Sequence, residues 1–188
     1  STIKTEKGIV NMKDKWVSNL ESWFNRYQRE MPWREKKSAY YVWLSEMMLQ
    51  QTQVATVIPY FENFIQIFPT VEDLASSDQE IVLKAWEGLG YYSRARNLHK
   101  AAQVIVNDLN GQFPKTYQSL QKLPGVGPYS AAAIASIVYE AFIPVVDGNV
   151  LRVFCRFWEI EDDIRNNATR DHLFNKLKPF IEQSIPSI

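Results

Sequence analysis

The segment "LPGVGPYSAAAIAS", residues 123–136, constrains the fold more than any other stretch of this chain. Two glycines stand one residue apart, flanked by prolines, directly before a run of alanines. Gly125 and Gly127 permit backbone angles that other residues avoid, which predicts a tight turn. Pro128 suits the first turn of a helix, so residues 129–139 read as helix. Gly-rich loops that cradle nucleotides mostly follow a β-strand, and the dinucleotide fingerprint needs a third glycine and a downstream acid. Here the amphipathic "TYQSLQKL" precedes the turn and no Walker lysine follows it. The segment is therefore helix, hairpin, helix. Such a hairpin can offer its Gly125 and Gly127 amides to one DNA phosphate without reading sequence. It can equally be a turn joining two packed helices, and the stretch alone leaves both readings open.

Helical periodicity dominates the rest. Residues 13–28 place Trp16, Leu20, Trp23, Phe24 and Tyr27 at steps of three and four, one apolar stripe. "REMPWREKKS" (29–38) interrupts it with a proline and a charge cluster and reads as a loop. Helices are predicted over 39–53 and 56–68. Ser77 and Glu80 have the spacing of a capping box for a helix through Trp86. Further helices follow over about 93–109, 116–122, 149–160 and 169–184, with "EGLGYYSRAR" (87–96) leading into the first of these from a glycine-containing turn. No window alternates as a strand would, so the fold is all-α. We expect two helical lobes: residues 31–138 carrying the hairpin, and residues 11–30 with 139–188. Asp147 falls at their junction, and the cleft between lobes is the expected site.

Charge and cysteine usage narrow the function classes. The 188 residues carry 21 basic and 21 acidic side chains, so any nucleic-acid reading rests on local groups and not on bulk charge. Cys155 is the single cysteine, which excludes an intrachain disulfide and a multi-thiolate metal site in this chain. His99 and His172 lack metal-ligand spacing and read as surface or packing residues. No metal site is expected. No apolar stretch approaches the roughly 18 residues that span a membrane, and no signal-peptide pattern opens the chain. The cytosol, with association to a bacterial-type nucleoid through DNA, is the expected location.

"LPGVGPYSAAAIAS", followed after "FIPVV" by Asp147, resembles the helix–hairpin–helix DNA glycosylase superfamily. "SEMMLQQTQVATVIPYFENF" and "WEGLGYYSRARNLHKAA" narrow the resemblance to the MutY family of adenine glycosylases, from about Trp16 to the end. The resemblance implies a base-excision-repair hydrolase that removes adenine mispaired with 8-oxoguanine or guanine in double-stranded DNA, acting as a monomer.

Cleaving an N-glycosidic bond asks for a proton on the departing base and a carboxylate near the cation-like sugar. Two carboxyl groups at different proton affinities meet both demands. Glu46 lies on the predicted helix 39–53 with Val42 and Leu49 on its face, where burial favours the neutral acid. Asp147 precedes Gly148, Asn149 and a helix start, where free amides and the helix dipole favour the anion. Taken without the resemblance, the first can also be a solvated helix glutamate and the second a plain N-cap. With it, Glu46 becomes the acid that protonates adenine, and Asp147 the stabiliser of, or nucleophile towards, the sugar cation.

The remaining roles come from the resemblance alone. Tyr129 stands where endonuclease III-like relatives carry the lysine that forms a Schiff base and cuts the strand; a phenol cannot, so the chain is expected to be monofunctional. Flipping a base out of a duplex leaves a gap to be propped. Gln51, Thr52, Leu89 and Tyr91 fall where the family contacts the opposite purine and wedges the stack. Trp33, Arg34, Leu49 and Val54 fall where it lines the adenine pocket, although Leu49, Val54 and Leu89 also suit a core. Arg94 and Arg96 are candidates to meet phosphates. The family's four-cysteine loop for a [4Fe–4S] cluster, and its further domain for 8-oxoguanine, have no counterpart in these residues. We therefore expect a chain shortened before the cluster loop, with the cofactor belonging to a full-length parent, or else a natural form without the cluster. Two other functions remain open: a mismatch thymine or uracil glycosylase, and a catalytically silent helix–hairpin–helix DNA-binding module. A base without a protonatable N7 has less use for Glu46, which weighs against the former.

Overall fold

Residues 39–49 are apolar almost all round, and a helix of that kind is buried on every side. The computed structural model, which describes residues 6–36 and 38–182 with side chains from Trp16 onward, places this helix at the centre. Among the described residues there are helices and turns but no strand. The helices are α1 (Glu6–Tyr27), α2 (Pro32–Glu35), α3 (Ala39–Leu49), α4 (Val54–Ile67), α5 (Val71–Ser76) and α6 (Gln79–Ala85). They continue with α7 (Ser93–Asp108), α8 (Tyr117–Leu120), α9 (Pro128–Tyr139), α10 (Gly148–Phe157) and α11 (Asn167–Ile181). Helix α3 packs on α2, α4, α7 and α9. Its Trp43, Leu44, Met47 and Met48 are wholly buried, each contributing about 1.5–3 kcal/mol by leaving water.

Two clusters of buried side chains result. The larger gathers residues from Met31 to Ala135 around α3, with Trp86, Phe61 and Phe64 fully enclosed. The smaller joins Val146, Leu151, Leu173 and Leu177 of the segment before α10, α10 itself and α11. Helix α1 leans on this second cluster, since Trp16 packs against Phe154, Phe157 and Phe180 at ring separations of 5.7, 6.2 and 5.4 Å. The predicted α1 stripe is only partly covered: Leu20, Trp23 and Tyr27 are 51%, 57% and 60% exposed. An apolar period shows which face of a helix seeks cover, not whether a partner is there to give it.

Several boundaries differ from the sequence expectation. The 29–38 loop contains α2, because Pro32 opens a short turn of helix. Helix α5 lies where none was expected, and its start carries the capping box, formed by Thr70 and Asp73. Ser77 and Glu80 form none: Asp78 is the N-cap residue of α6 and makes no side-chain cap bond. Helix α3 stops at Leu49, short of 53, since Gln51 turns to a φ of +58°. The predicted end of the last helix at Ser184 lies outside the described residues.

Candidate active site

The site forms where α3, the hairpin before α9 and the start of α10 come together. Glu46 is 8% exposed within α3, although glutamate is rarely buried without a partner. Burial first, and the Asp147 carboxylate second, push its proton affinity up to a pKa of about 7. Asp147 is the N-cap of α10: its Oδ1 accepts from the Val150 amide at 2.7 Å and its Oδ2 from Asn149 Nδ2 at 3.3 Å. These donors and the positive end of α10 suit a carboxylate. Tyr129, the second residue of α9, feels both acids, and burial followed by Glu46 and Asp147 holds its phenol far above the ordinary range. Glu46, Asp147 and Tyr129 are thus one electrostatic unit. Its members start 18 residues or more apart in sequence.

The hairpin joins this unit through Gln50, a residue that sequence reasoning missed. Its Nε2 donates to the Gly125 carbonyl and to Ser130 Oγ, both at 3.3 Å, and to Met47 Sδ at 3.6 Å. Gly125 has a φ of +77°, and a Cβ there would meet Met47 Cε at 2.7 Å and Asn97 Cβ at 2.8 Å. Only glycine fits. Gly127 corrects the sequence expectation: its φ of −84° suits any residue, and nothing lies within 4 Å of a Cβ built on it. Its openness faces outward, and among the described residues nothing accepts from the Gly125 or Gly127 amide, whereas Val126 donates to the Leu123 carbonyl.

The other candidates divide by burial. Gln51 is exposed and Thr52 half-buried, on the turn that ends α3. Tyr91 is 62% exposed at a φ of +48°. Leu89, in contrast, is packed into the larger core and offers no exposed wedge. Trp33 is likewise core, meeting Phe61 edge-on at 5.3 Å, and Leu49 and Val54 pack against the same cluster. Arg34 is exposed, donates to the Arg29 carbonyl at 3.1 Å and lies over the Phe24 ring.

Arg94 is the plainest correction. It is 6% exposed and cannot meet a phosphate; its guanidinium donates to backbone carbonyls of α3 and of the turn before α7. Arg96 is exposed. A basic residue in the first turn of a helix looks the same in sequence whichever way it points. His99 is buried beside Gln103 and His172 is exposed.

A four-thiolate cluster does not fit these residues. The one cysteine, Cys155, is buried in the α10 face, and among the described residues no three His, Cys, Asp or Glu side chains converge as metal ligands. No helix among them is long and apolar enough to cross a membrane.

The chain belongs to the HhH-GPD superfamily of base excision DNA repair proteins. That family's model matches residues 44–179. A Mus musculus protein named adenine DNA glycosylase is 46% identical over 178 residues, covering 90% of this chain and 35% of that protein. The curated relatives are matched over about a third to a half of their length. The solved structure of a thermostable thymine-DNA glycosylase superposes with a TM-score of 0.78 at 26% identity, over 91% of this chain and 79% of that one. A non-covalent endonuclease III–DNA complex shares the fold, with a TM-score of 0.72 at 22% identity over 93% of this chain and 82% of that one.

Proposed function

We propose that this chain carries the catalytic part of a monofunctional DNA glycosylase that hydrolyses adenine from duplex DNA where it is mispaired with 8-oxoguanine or guanine. The observation that carries this reading is Glu46, a buried carboxyl that keeps its proton to a pH of about 7 beside the Asp147 carboxylate. Glu46 gives that proton to N7 of the flipped adenine. The bond between C1′ and N9 breaks with its electron pair going to the base, which leaves neutral. Asp147 faces the cationic sugar, and water adds to C1′ as Glu46 takes a proton back. Tyr129 remains a neutral phenol, so it can donate a hydrogen bond to the reacting carboxylates. It has no amine with which to form a Schiff base.

The described residues within 31–138 form one lobe and those within 11–30 and 139–182 the other, a division supported by the separate buried clusters and by Trp16 lying on Phe154. The hairpin amides hold a phosphate, Gln51, Thr52 and Tyr91 meet the opposite purine, and Trp33, Arg34, Leu49 and Val54 shape the adenine pocket. The unused hairpin amides support the first of these assignments, and the exposure of Gln51 and Tyr91 supports the second.

Mass spectrometry of bases released from A:8-oxoguanine, A:G and T:G duplexes tests the reading. Adenine from the first two is expected. Thymine alone would transfer the chain to the mismatch thymine class, and DNA binding without any release would leave a silent module. Borohydride is expected to trap no enzyme–DNA adduct, and a stoichiometric adduct would assign a Schiff base to a lysine such as Lys122.

A further inference from the structure

Arg94 makes more backbone contacts than any sequence pattern announces. Its NH1 donates to the carbonyls of Met47, Met48 and Gln50 at 3.4, 2.7 and 2.5 Å, and its NH2 to those of Leu89 and Gly90, both at 3.1 Å. Its planar head lies over the Trp86 ring at 5.3 Å and the Tyr91 ring at 5.5 Å. The Trp86 indole also donates to the Gly90 carbonyl at 3.1 Å. The last carbonyls of a helix lack partners, and a cation there satisfies them and complements the dipole. That explains the end of α3 but not the second set of acceptors.

The second set falls at a telling place. Two exposed residues that are not glycine adopt left-handed backbone here, Gln51 at a φ of +58° and Tyr91 at +48°. Each directly follows a carbonyl that Arg94 holds, those of Gln50 and Gly90. Left-handed non-glycine backbone persists only where its surroundings impose it. One guanidinium bonds the carbonyl that precedes each. A lysine has three N–H groups on a single point and cannot span the two carbonyl sets as a planar fork does.

We propose that Arg94 is a positioning residue for recognition of the base opposite the excised one, holding the Gln51 and Tyr91 turns at a set separation. This rests on the proposed contact of Gln51 and Tyr91 with the opposite purine. It touches neither substrate nor reacting atoms, and acts through those two backbones.

Arg94→Lys and Arg94→Met test it in the full chain, with backbone amide exchange and substrate preference read together. The expected result is faster exchange at residues 50–52 and 89–91, with the protection of α9 and α10 retained. With it, the ratio of release rates for A:8-oxoguanine over A:C falls at least tenfold, a larger loss on the first duplex than on the second. A purely structural arginine would speed exchange throughout and lower both rates by one factor, which would overturn the proposal. Unchanged exchange at the two turns, or loosened turns with an unchanged ratio, would also overturn it. If Arg94→Met does not fold, Arg94→Lys keeps the charge and removes the fork. Gln51→Ala and Tyr91→Ala run alongside. Should neither alter the ratio, the opposite-purine reading fails and the positioning role with it, even though the exchange data would still record the clamp.

Discussion

Glu46 and Asp147 carry the same functional group in opposite settings. Glu46 stands within the central helix among the buried residues of α3, where the helix's own hydrogen bonds use the neighbouring amides. Asp147 stands just outside the first turn of α10, where the Val150 amide is free to bind it. Burial disfavours charge on the first, while the second is bonded by donors at a helix terminus. Proximity then sharpens the contrast, since a charged Asp147 makes it harder for Glu46 to ionise. Two carboxyl groups are thus given opposite settings by position along two helices.

The largest expected effect follows from erasing the protonated partner. Glu46→Gln should lower adenine release by about 10²–10⁴-fold, the usual contribution of a general acid, while leaving DNA affinity nearly unchanged. The same substitution should raise stability at alkaline pH. In the folded chain Glu46 holds its proton to a pH of about 7, against an ordinary value of 4.5, so the folded state binds the extra proton between those limits. The Glu46 contribution is therefore full below pH 4.5, falls as pH rises to about 7, and then levels off, a total change of roughly 3 kcal/mol. Urea denaturation at pH 4.5 and pH 8 checks this, with Glu46→Gln matching the parent at the lower pH and exceeding it at the higher. Release within tenfold of the parent by a well-folded variant would remove Glu46 from the chemistry.

Changing the other partner should cost somewhat less and move the first. Asp147→Asn keeps a cap for Val150 but removes the anion, and release should fall by about 10²–10³-fold. Asp147→Ala loses the cap as well, adding about 1 kcal/mol of destabilisation. In the parent, the single-turnover rate should fall tenfold per unit as pH rises above about 7, because only protonated Glu46 can act. In Asp147→Asn that alkaline limb should shift to lower pH, since one cause of the raised affinity is gone. An unmoved limb would mean that the two groups do not sense each other.

How much of this the residues disclosed in advance depends on whether the cause is local. The apolar neighbours of Glu46, the Asp-Gly-Asn start of α10 and the glycine hairpin are short-range patterns, and each appears in the structure where it was expected. Arg94 was misjudged and Gln50 overlooked because the partners that fix them, the α3 carbonyls for Arg94 and Gly125 and Ser130 for Gln50, lie 44–47 and 75–80 residues away, and periodicity carries no information at that range. Leu89 shows the same limit, since whether an apolar residue in a turn points in or out is settled by what packs against the turn. The capping box moved from Ser77 to Thr70 for a subtler reason. Both sites offer a hydroxyl with an acid three residues on, and the backbone at Thr70 alone closes the reciprocal pair.

The hairpin glycines give the smallest expected effect and the clearest division of labour. Gly125 and Gly127 look equivalent in "GVG", yet only the first is required by the fold. Gly125→Ala forces a left-handed alanine whose Cβ collides with Met47 and Asn97, so it should destabilise the chain by about 1–3 kcal/mol. Gly127→Val places its side chain in open space at an ordinary φ, and stability should stay within about 0.5 kcal/mol of the parent. That open space is where a phosphate would approach the free amides. Affinity of Gly127→Val should therefore drop by one common factor, about three- to tenfold, for mismatched and undamaged duplexes alike, since a backbone contact carries no sequence information. The single-turnover rate at saturating DNA should fall much less, because the Glu46–Asp147 pair is untouched. Fluorescence anisotropy on the two duplexes measures the first, and quenched-flow base release the second. If folded Gly127→Val binds undamaged duplex as tightly as the parent does, the hairpin serves only to join α8 to α9, and the DNA must be held elsewhere.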